Sequence, residues 1–246
     1  MEKLNLPNVT LLCVDCVDVT RAINVIEKCK SVCEFGSIKL LTSIPNDYPE
    51  WVEIMPLNSL VAYSVFMLTD SYKYIDTQHV LVVQRDGWIL NHTAWKDDWL
   101  SYDYVAPLFI QYDYVGSGGF SLRSRALMEA SAKSLPAWNG TQEDADRIHF
   151  QHVGLYEDGY LSFNLKSHGF RYPSNDEAAL FAQGGNPNPA YYRSNPFGFH
   201  GAIQNIDHET GTVSPVCSHR LAGESCECVM PHLLQLGKMA ESIKKF

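Results

Sequence analysis

The sequence lacks any long hydrophobic run. Its longest apolar stretch, residues 60–68, is interrupted by Tyr63 and Ser64 and is too short to cross a bilayer. The N-terminus, Met-Glu-Lys-Leu-Asn, has no apolar segment of signal-peptide length. The seven cysteines are odd in number and irregularly spaced, which favours reduced thiols. These absences predict a cytoplasmic protein without a membrane span.

Positive charge is also scarce. The formal net charge is −9 and the isoelectric point is near 5.4. The negative charge therefore disfavours a broad basic surface for nucleic acid or anionic lipid, because phosphate binding needs clustered Lys and Arg. Hydrophobic residues make up 46% of the 246 residues, which is typical of a folded globular chain of one large domain, with or without an appendage.

The first half of the chain alternates between short apolar runs and helical patterns. We predict strands at residues 9–14, 37–41 and 79–84. The predicted helices cover residues 57–70 and a segment that opens at Thr20, with apolar residues at helical spacing as far as Cys33. Alternation of this kind predicts an α/β fold with a mainly parallel sheet and helices on both faces.

Motifs follow the third predicted strand. The run 79–91 passes from apolar residues to Gln84-Arg85-Asp86, and Gly87 then allows the chain to turn. Ligands of α/β proteins lie outside the carboxyl ends of strands, so an acid here is a candidate cation ligand. The alternative is an Asp that caps the following turn. Further motifs occupy residues 95–99, 102–107, 116–125 and 195–201.

Taken in this order, the motifs resemble a family of small GT-A-type glycosyltransferase-like proteins of bacteria, fungi and viruses, catalogued as a domain of unknown function. The resemblance covers residues 8–201. It implies a GT-A-like (Rossmann-like) single domain over residues 1–201 that binds a nucleotide sugar. Residues 202–246 would then be an extension packed on the same domain.

The resemblance also implies a metal site. Enzymes of this fold hold Mn²⁺ or Mg²⁺ near the donor diphosphate with an acidic motif, and a late His often completes the ligand set. Asp86 and His200 match those places, although His200 could instead pack within its glycine turn. Asp86 is the single acid of residues 84–86. The neighbouring Arg85 could pair with phosphate oxygens.

The donor nucleotide is expected at the end of the first strand. The resemblance places Cys13, Val14 and Asp15 beside the base and ribose, with Asp15 alternatively capping the next helix. Arg21 opens that helix and is a weaker candidate for phosphate.

Paired glycines form the second part of the implied site. Gly118 and Gly119 would let the backbone approach the donor sugar and the acceptor, although a plain hairpin turn is the alternative. We expect Arg123 to be structural, anchoring this turn to an acid.

An inverting transferase needs a base for the acceptor hydroxyl. The resemblance points to an acidic pair beyond the glycines, which we assign to Asp144 with Glu143 second. That pair could merely sit at a helix N-terminus, where acids are favourable. Glu157-Asp158 is a rival pair, and a retaining enzyme would require no such base.

The C-terminal region lies outside the resemblance. It offers four potential zinc ligands at unusual spacing, and ordinary thiols with a surface His are the favoured interpretation. A closing amphipathic helix is predicted at residues 231–245. The four candidate ligands are Cys217, His219, Cys226 and Cys228.

The leading hypothesis is a metal-assisted glycosyltransferase. Its donor, by resemblance, is a UDP-sugar. Its acceptor is a glycan intermediate, a small molecule, or a modified DNA base in a viral setting, where the protein would act in the host cytoplasm. The alternatives are a non-catalytic nucleotide-sugar-binding or assembly protein and a zinc-stabilised interaction module.

Overall fold

The computed structural model describes residues 2–201 apart from 110–113, 185–187, 192 and 194, together with 205–206 and 213–214. Within these residues the helices are α1 (Val19–Val32), α2 (Leu60–Thr69), α3 (Arg125–Ser134), α4 (Gln142–Ile148), α5 (Glu157–Gly159) and α6 (Asn175–Phe181). The strands are β1 (Leu4–Val14), β2 (Cys33–Thr42), β3 (Trp51–Glu53), β4 (His79–Val83), β5 (Tyr104–Val105), β6 (Phe120–Ser124), β7 (Ala182–Gln183), β8 (Gly198–Phe199), β9 (Asn205–Ile206) and β10 (Val213–Ser214).

A six-stranded sheet in the order β3-β2-β1-β4-β6-β5 forms the centre. Its first four strands are parallel, whereas β6 runs antiparallel to β4 and β5 antiparallel to β6. The strands β7 and β8 form a separate parallel pair, and β9 with β10 an antiparallel one. The predicted α/β fold with a mainly parallel sheet is therefore confirmed.

Both faces of the sheet are buried. Along β1, Leu11 and Cys13 enter a core layer that contains residues of α1, while Leu12 and Val14 enter a layer formed with α2, α3 and α4. Alternate residues of a strand point to opposite faces, so a run that is apolar throughout fits a strand covered on both sides. The prediction of helices on both faces is confirmed.

The boundaries of the first two helices follow from their caps. The Asp18 side chain accepts a hydrogen bond from the Arg21 N–H at the start of α1, and the Ser59 hydroxyl accepts from the Ala62 N–H at the start of α2. The second helix therefore begins three residues later than the predicted Leu57. The C-terminal end predicted for the first helix was wrong, because Cys33 has extended dihedral angles and is the first residue of β2.

Three further elements differ from the sequence pattern. The strand β3 lies between the predicted second strand and the second helix, where no strand was predicted, and it pairs with β2 at the sheet edge. The strand predicted over 79–84 ends at Val83. The motif at 95–99, for which no secondary structure was predicted, leads into a short 3₁₀ helix at Asp97–Ser101. These differences are local, because short edge strands and single turns leave little periodicity in a sequence.

The predicted closing helix and the four candidate zinc ligands Cys217, His219, Cys226 and Cys228 lie outside the described residues. Among the residues that the structure describes, no helix combines the length and the apolar character needed to span a bilayer.

Candidate functional site

The site lies where β1 and β4 end side by side. Cys13 of β1 pairs with Val83 of β4, so the residues that follow both strands emerge at one edge of the sheet. The chain passes from β1 to β2 and β3 on one side and returns with β4 on the other, which makes this edge a topological switch point where α/β proteins bind ligands. A cavity of about 610 Å³ opens there, lined by residues 14–17, 57–60, 63 and 84–86.

Backbone hydrogen bonds bring the late glycine motif to this edge. The Gly201 N–H donates to the Asp86 carbonyl at 3.1 Å, and the Phe199 N–H donates to the Trp88 carbonyl at 3.4 Å. As a result the His200 Nε2 lies 3.4 Å from the Asp86 Oδ1. The two residues predicted as a metal pair are thus neighbours, although they are far apart in the sequence.

His200 is held by three side chains. Its Nδ1 lies 3.0 Å from the Ser117 hydroxyl, and its Nε2 lies 3.2 Å from the Gln84 Oε1 as well as near Asp86. The Gln84 amide in turn donates to the Tyr63 hydroxyl at 2.9 Å. His200 is thus oriented by its partners, and not simply packed within its glycine turn.

Glycine is required beside this ring. A Cβ at position 119 would lie 2.0 Å from the His200 Nε2, closer than any real contact. A Cβ at position 87 would lie 2.7 Å from the Phe199 carbonyl oxygen. The two glycines therefore allow the segments that carry Asp86 and His200 to meet.

Asp86 is ionised more readily than an ordinary aspartate. Burial alone would raise the pKa of Asp86, but the hydrogen bond to His200 and its charge outweigh burial and leave the pKa below its usual value. The Asp86 carboxylate, the His200 imidazole and the side-chain Oε1 of Gln84 are the groups that could hold a cation. Among the described residues, no cluster of three or more His, Cys, Asp or Glu side chains has metal-binding spacing.

Asp15 and Arg85 form an ion pair at the cavity. The Arg85 Nη1 lies 3.0 and 3.2 Å from the two carboxylate oxygens of Asp15. Asp15 also accepts hydrogen bonds from the N–H groups of Val17 and Asp18, so it caps the turn before α1. The predicted donor-site residues Val14, Asp15, Arg85 and Asp86 all line one cavity.

Four predicted donor residues do not line that cavity: Cys13, Arg21, Gly118 and Gly119. The Cys13 side chain is fully buried in the core layer with α1, and burial raises the pKa of its thiol far above the ordinary range. Arg21 lies on the exposed face of the first turn of α1. A role for any of the four at the donor stays a prediction, and for Cys13 it is limited to the backbone.

The Gly118-Gly119 turn contacts the second acidic pair, Glu157-Asp158, on the side that faces away from His200. The Gly118 N–H donates to the Asp158 Oδ2 at 3.3 Å. A Cβ at position 118 would lie 2.7 Å from the Glu157 Oε1. Arg123 is fully buried and donates to the Gly118 carbonyl at 3.1 Å, so it anchors the turn and its neighbouring acid as expected from the sequence.

The surroundings of the Glu157-Asp158 pair disfavour a negative charge on Asp158. Burial and the neighbouring Glu157 carboxylate raise the pKa of Asp158 to about 7. Hydrogen bonds from the Gly159 and Gly118 N–H groups and the Arg123 charge oppose this rise without cancelling it. A carboxyl group with such a pKa changes its protonation state near neutral pH, as a general base must.

Asp144 has a different environment. Its carboxylate accepts a hydrogen bond from the Asn139 N–H at 3.0 Å and pairs with Arg147 at 2.5 Å. These contacts lower the pKa of Asp144, the backbone bond contributing most. Asp144 and Glu143 both lie in the first turn of α4, where acidic side chains are favourable. The helix N-terminus alternative therefore fits the geometry better than a catalytic role, and that role stays a prediction.

Sequence reasoning missed the second wall of the cavity. Residues 57–60 precede and open α2, and the Tyr63 ring follows one turn later. Leu60 is 54% exposed and faces the same cavity as Val17, which is 71% exposed. A Ser cap before an apolar helix explains Ser59 without reference to a ligand, so the sequence carried no signal of this wall.

Residues 50–200 match the family DUF5672, described as a protein of unknown function. No curated protein matches the sequence. Among solved structures, the fold is similar to that of the mannosyltransferase PcManGT from Pyrobaculum calidifontis, in complex with GDP-Man and Mn²⁺. That likeness covers 70% of this chain and 57% of the mannosyltransferase, at 9% identity and a TM-score of 0.44.

A structural likeness of this size says nothing about activity or ligands. The family match is different in kind, because it spans more than half of the chain and includes the strand-end motif, the glycine turn and His200. This protein therefore belongs to the DUF5672 family.

Proposed function

We propose that the protein is a GT-A-like glycosyltransferase that moves a sugar from a nucleotide-sugar donor, a UDP-sugar, to an acceptor hydroxyl. One observation carries the proposal. Asp86, His200 and the Gly118-Gly119 turn converge from three distant segments on the switch point of the sheet, beside a cavity of about 610 Å³. Pockets that hold small organic ligands have volumes of this order.

The cavity has the chemical character that a nucleoside diphosphate requires. The exposed apolar side chains of Val17 and Leu60 line the same cavity as the polar groups of Asn58 and Ser59. Apolar groups of this kind gain free energy when the flat face of a base covers them. Arg85 supplies a cation for the phosphates, provided that it exchanges part of its pairing with Asp15.

The residues present fit a divalent cation. Adjacent ligands about 2.1 Å from an octahedral ion lie about 3 Å apart. The Nε2 of His200 is 3.4 Å from the Asp86 Oδ1 and 3.2 Å from the Gln84 Oε1, so small shifts would suffice. Mg²⁺ or Mn²⁺ bound there would offset the charge that develops on the departing diphosphate.

Asp158 is the base that the geometry favours. It lies across the Gly118-Gly119 turn from His200, on the side that we assign to the acceptor. The ionised carboxylate would take the proton of the acceptor hydroxyl while that oxygen attacks the anomeric carbon. The bond to the diphosphate oxygen then breaks, and its electron pair leaves with the nucleoside diphosphate.

The acceptor remains within the classes that the sequence predicts: a glycan intermediate, a small molecule or a modified DNA base. A non-catalytic nucleotide-sugar-binding protein is the second candidate. One observation favours this candidate: the polar groups pair with one another, Asp15 with Arg85 and Asp86 with His200. Of the cavity-lining residues that the structure describes, Asp86 is then the single acidic side chain that could bind a cation, and it would have to give up part of its contact with His200.

Calorimetric titration with UDP, with and without Mn²⁺, tests the donor site. We expect wild-type binding to strengthen with Mn²⁺ and Asp86→Ala to lose that increment. Asp76→Ala is the matched control, because Asp76 pairs with Lys39 on the opposite end of the sheet. Equal UDP affinity in Asp86→Ala and Asp76→Ala at every Mn²⁺ concentration contradicts the proposed cation site.

A further inference from the structure

Arg123 is an arginine that the fold buries completely. Its Nε donates to the Ser121 hydroxyl at 2.9 Å, and its Nη2 donates to the Gly118 carbonyl at 3.1 Å. The same Nη2 lies 3.5 Å from the Glu157 Oε1. Its Nη1 is buried without a hydrogen-bond partner among the described residues.

Stability does not explain this arrangement well. Burying two charges is costly, and the cost is recovered only when the geometry is good and the remaining hydrogen-bonding groups are satisfied. Here the contact between the charged groups is long and one guanidinium nitrogen is unsatisfied. A buried polar group of this kind calls for another explanation, and a functional site is where such groups are found.

The glycine turn and the acidic pair are tied together by these contacts. A Cβ at position 118 would approach the Arg123 Nη2 and the Asp158 Cβ to 3.0 Å each. The Ser64 hydroxyl lies 3.4 Å from the second oxygen of Glu157, and the Glu157 N–H donates to the same hydroxyl at 3.3 Å. Glu157 is therefore fixed on both oxygens.

Asp158 is held differently from Glu157. Its carboxylate accepts hydrogen bonds from the N–H groups of Gly159 and Gly118, at 2.7 and 3.3 Å, and it is less buried than Glu157. The two neighbouring acids thus have unequal surroundings: one has a buried cation, and the other has backbone amides and access to solvent.

We propose that Arg123 and Glu157 are positioning residues: Arg123 holds the Gly118 carbonyl and the Glu157 carboxylate, and the Gly118 N–H holds the Asp158 carboxyl group against the glycine turn. The neighbouring Glu157 carboxylate disfavours a second negative charge on Asp158 and raises its pKa. The assignment of Asp158 as a base rests on the proposed function, but the positioning of its carboxyl group does not.

The charged and titratable groups around Asp158 define the expected signs. Glu157 raises the pKa of Asp158 and Arg123 lowers it, with the Glu157 effect the larger. The Tyr104 ring lies beneath Arg123, and burial raises the pKa of its phenol well above 10, so it stays neutral. Tyr63 faces Glu157 from α2 and is neutral for the same reason.

The experiment follows the titration of Asp158 by carbon-13 NMR of labelled aspartate carboxyl groups, with the signal assigned by Asp158→Asn. Glu157→Gln should move the titration to lower pH by about one unit or more, whereas Arg123→Met should move it to higher pH. Glu129→Gln and Arg125→Met are the matched controls, because this exposed Arg–Glu pair on α3 should leave the titration unchanged.

The double variant Arg123→Met/Glu157→Gln keeps the test decisive if Arg123→Met alone does not fold. It removes both buried charges, and its titration should lie below that of the wild type, because the larger Glu157 effect is lost. Shifts of the same sign in the two single variants, or no shift in Glu157→Gln, overturn the positioning role.

Cleavage of UDP-sugars, measured across pH in the same variants, separates the two proposals. Opposite shifts of the NMR titration without cleavage of any donor leave the positioning role standing and contradict the transferase. Cleavage whose acid limb is identical in wild type, Glu157→Gln and the double variant contradicts the positioning role and leaves the transferase standing.

Discussion

A methyl group at position 119 is the most selective perturbation of the candidate cation site. In Gly119→Ala the new Cβ would lie 2.0 Å from the Nε2 of His200 and 2.4 Å from the Cδ2 and Cε1 of the same ring. The ring must withdraw by about 1.5 Å to restore an ordinary contact of ~3.5 Å. It cannot do so and keep its bonds to Ser117, Gln84 and Asp86.

Two magnitudes follow for Gly119→Ala. Overpacking of a filled interior costs about 1–3 kcal/mol, and in a chain of this size each kcal/mol lowers the melting temperature by about 2–4 °C. Displacement of His200 should weaken Mn²⁺-dependent UDP binding by about 10–100-fold, the range observed when the orientation of a metal ligand is lost. UDP binding without Mn²⁺ should change little.

Gly118→Ala is the matched control for this variant. Its Cβ also meets close neighbours, but these are Glu157, Arg123 and Asp158 instead of His200. We expect a comparable loss of melting temperature with the Mn²⁺ increment in UDP affinity retained. The assay is calorimetric titration with UDP at several Mn²⁺ concentrations, beside thermal unfolding. A folded Gly119→Ala protein with the wild-type Mn²⁺ increment refutes the account of His200.

Other predictions follow from the same geometry. His200→Ala should weaken Mn²⁺-dependent UDP binding less than Asp86→Ala does, measured by calorimetry, because water can replace one neutral ligand; equal losses contradict this order. Asp158→Asn should lower turnover by about 10²–10⁴-fold, whereas Asp144→Asn should change it little, and the reverse result in single-turnover assays restores Asp144 as the base. The raised pKa of Asp158 implies that its contribution to stability is present below about pH 4 and is lost as the pH rises through about 7. The stability of Asp158→Asn relative to wild type should therefore increase over this range in denaturant titrations, and a constant difference counts against the assignment. Arg85→Met should weaken UDP binding with or without Mn²⁺, and an unchanged affinity leaves Arg85 as a structural partner of its neighbouring acid.

The fold could be predicted because its signals are local. The second half of β1 and the whole of β4 are buried and mainly apolar, and the buried residues of α1 recur at helical spacing. Both patterns arise from burial, which the sequence records directly. The cap at Ser59 and the edge strand β3 depend on single residues and on pairing, so their limits were displaced or missed.

The candidate site was predictable in part for a different reason. The Asp86–His200 contact came from the family resemblance, since no local pattern joins residues so far apart in the chain. The choice between the acidic pairs stays a prediction at this level, because Asp144 and Asp158 both follow the glycine turn and both lie at the start of a helix. What separates them is three-dimensional: Asp144 pairs with Arg147, while Asp158 lies against Gly118.

The central claim is that this site cleaves a nucleotide sugar with Asp158 as the base. The most direct test is release of UDP from a panel of UDP-sugars in the presence of Mn²⁺, compared between wild type and Asp158→Asn. The account predicts release from at least one donor by the wild-type protein. It also predicts a loss of about 10²–10⁴-fold in Asp158→Asn, with UDP affinity preserved. Tight UDP binding without release from any donor contradicts the claim and favours a binding protein.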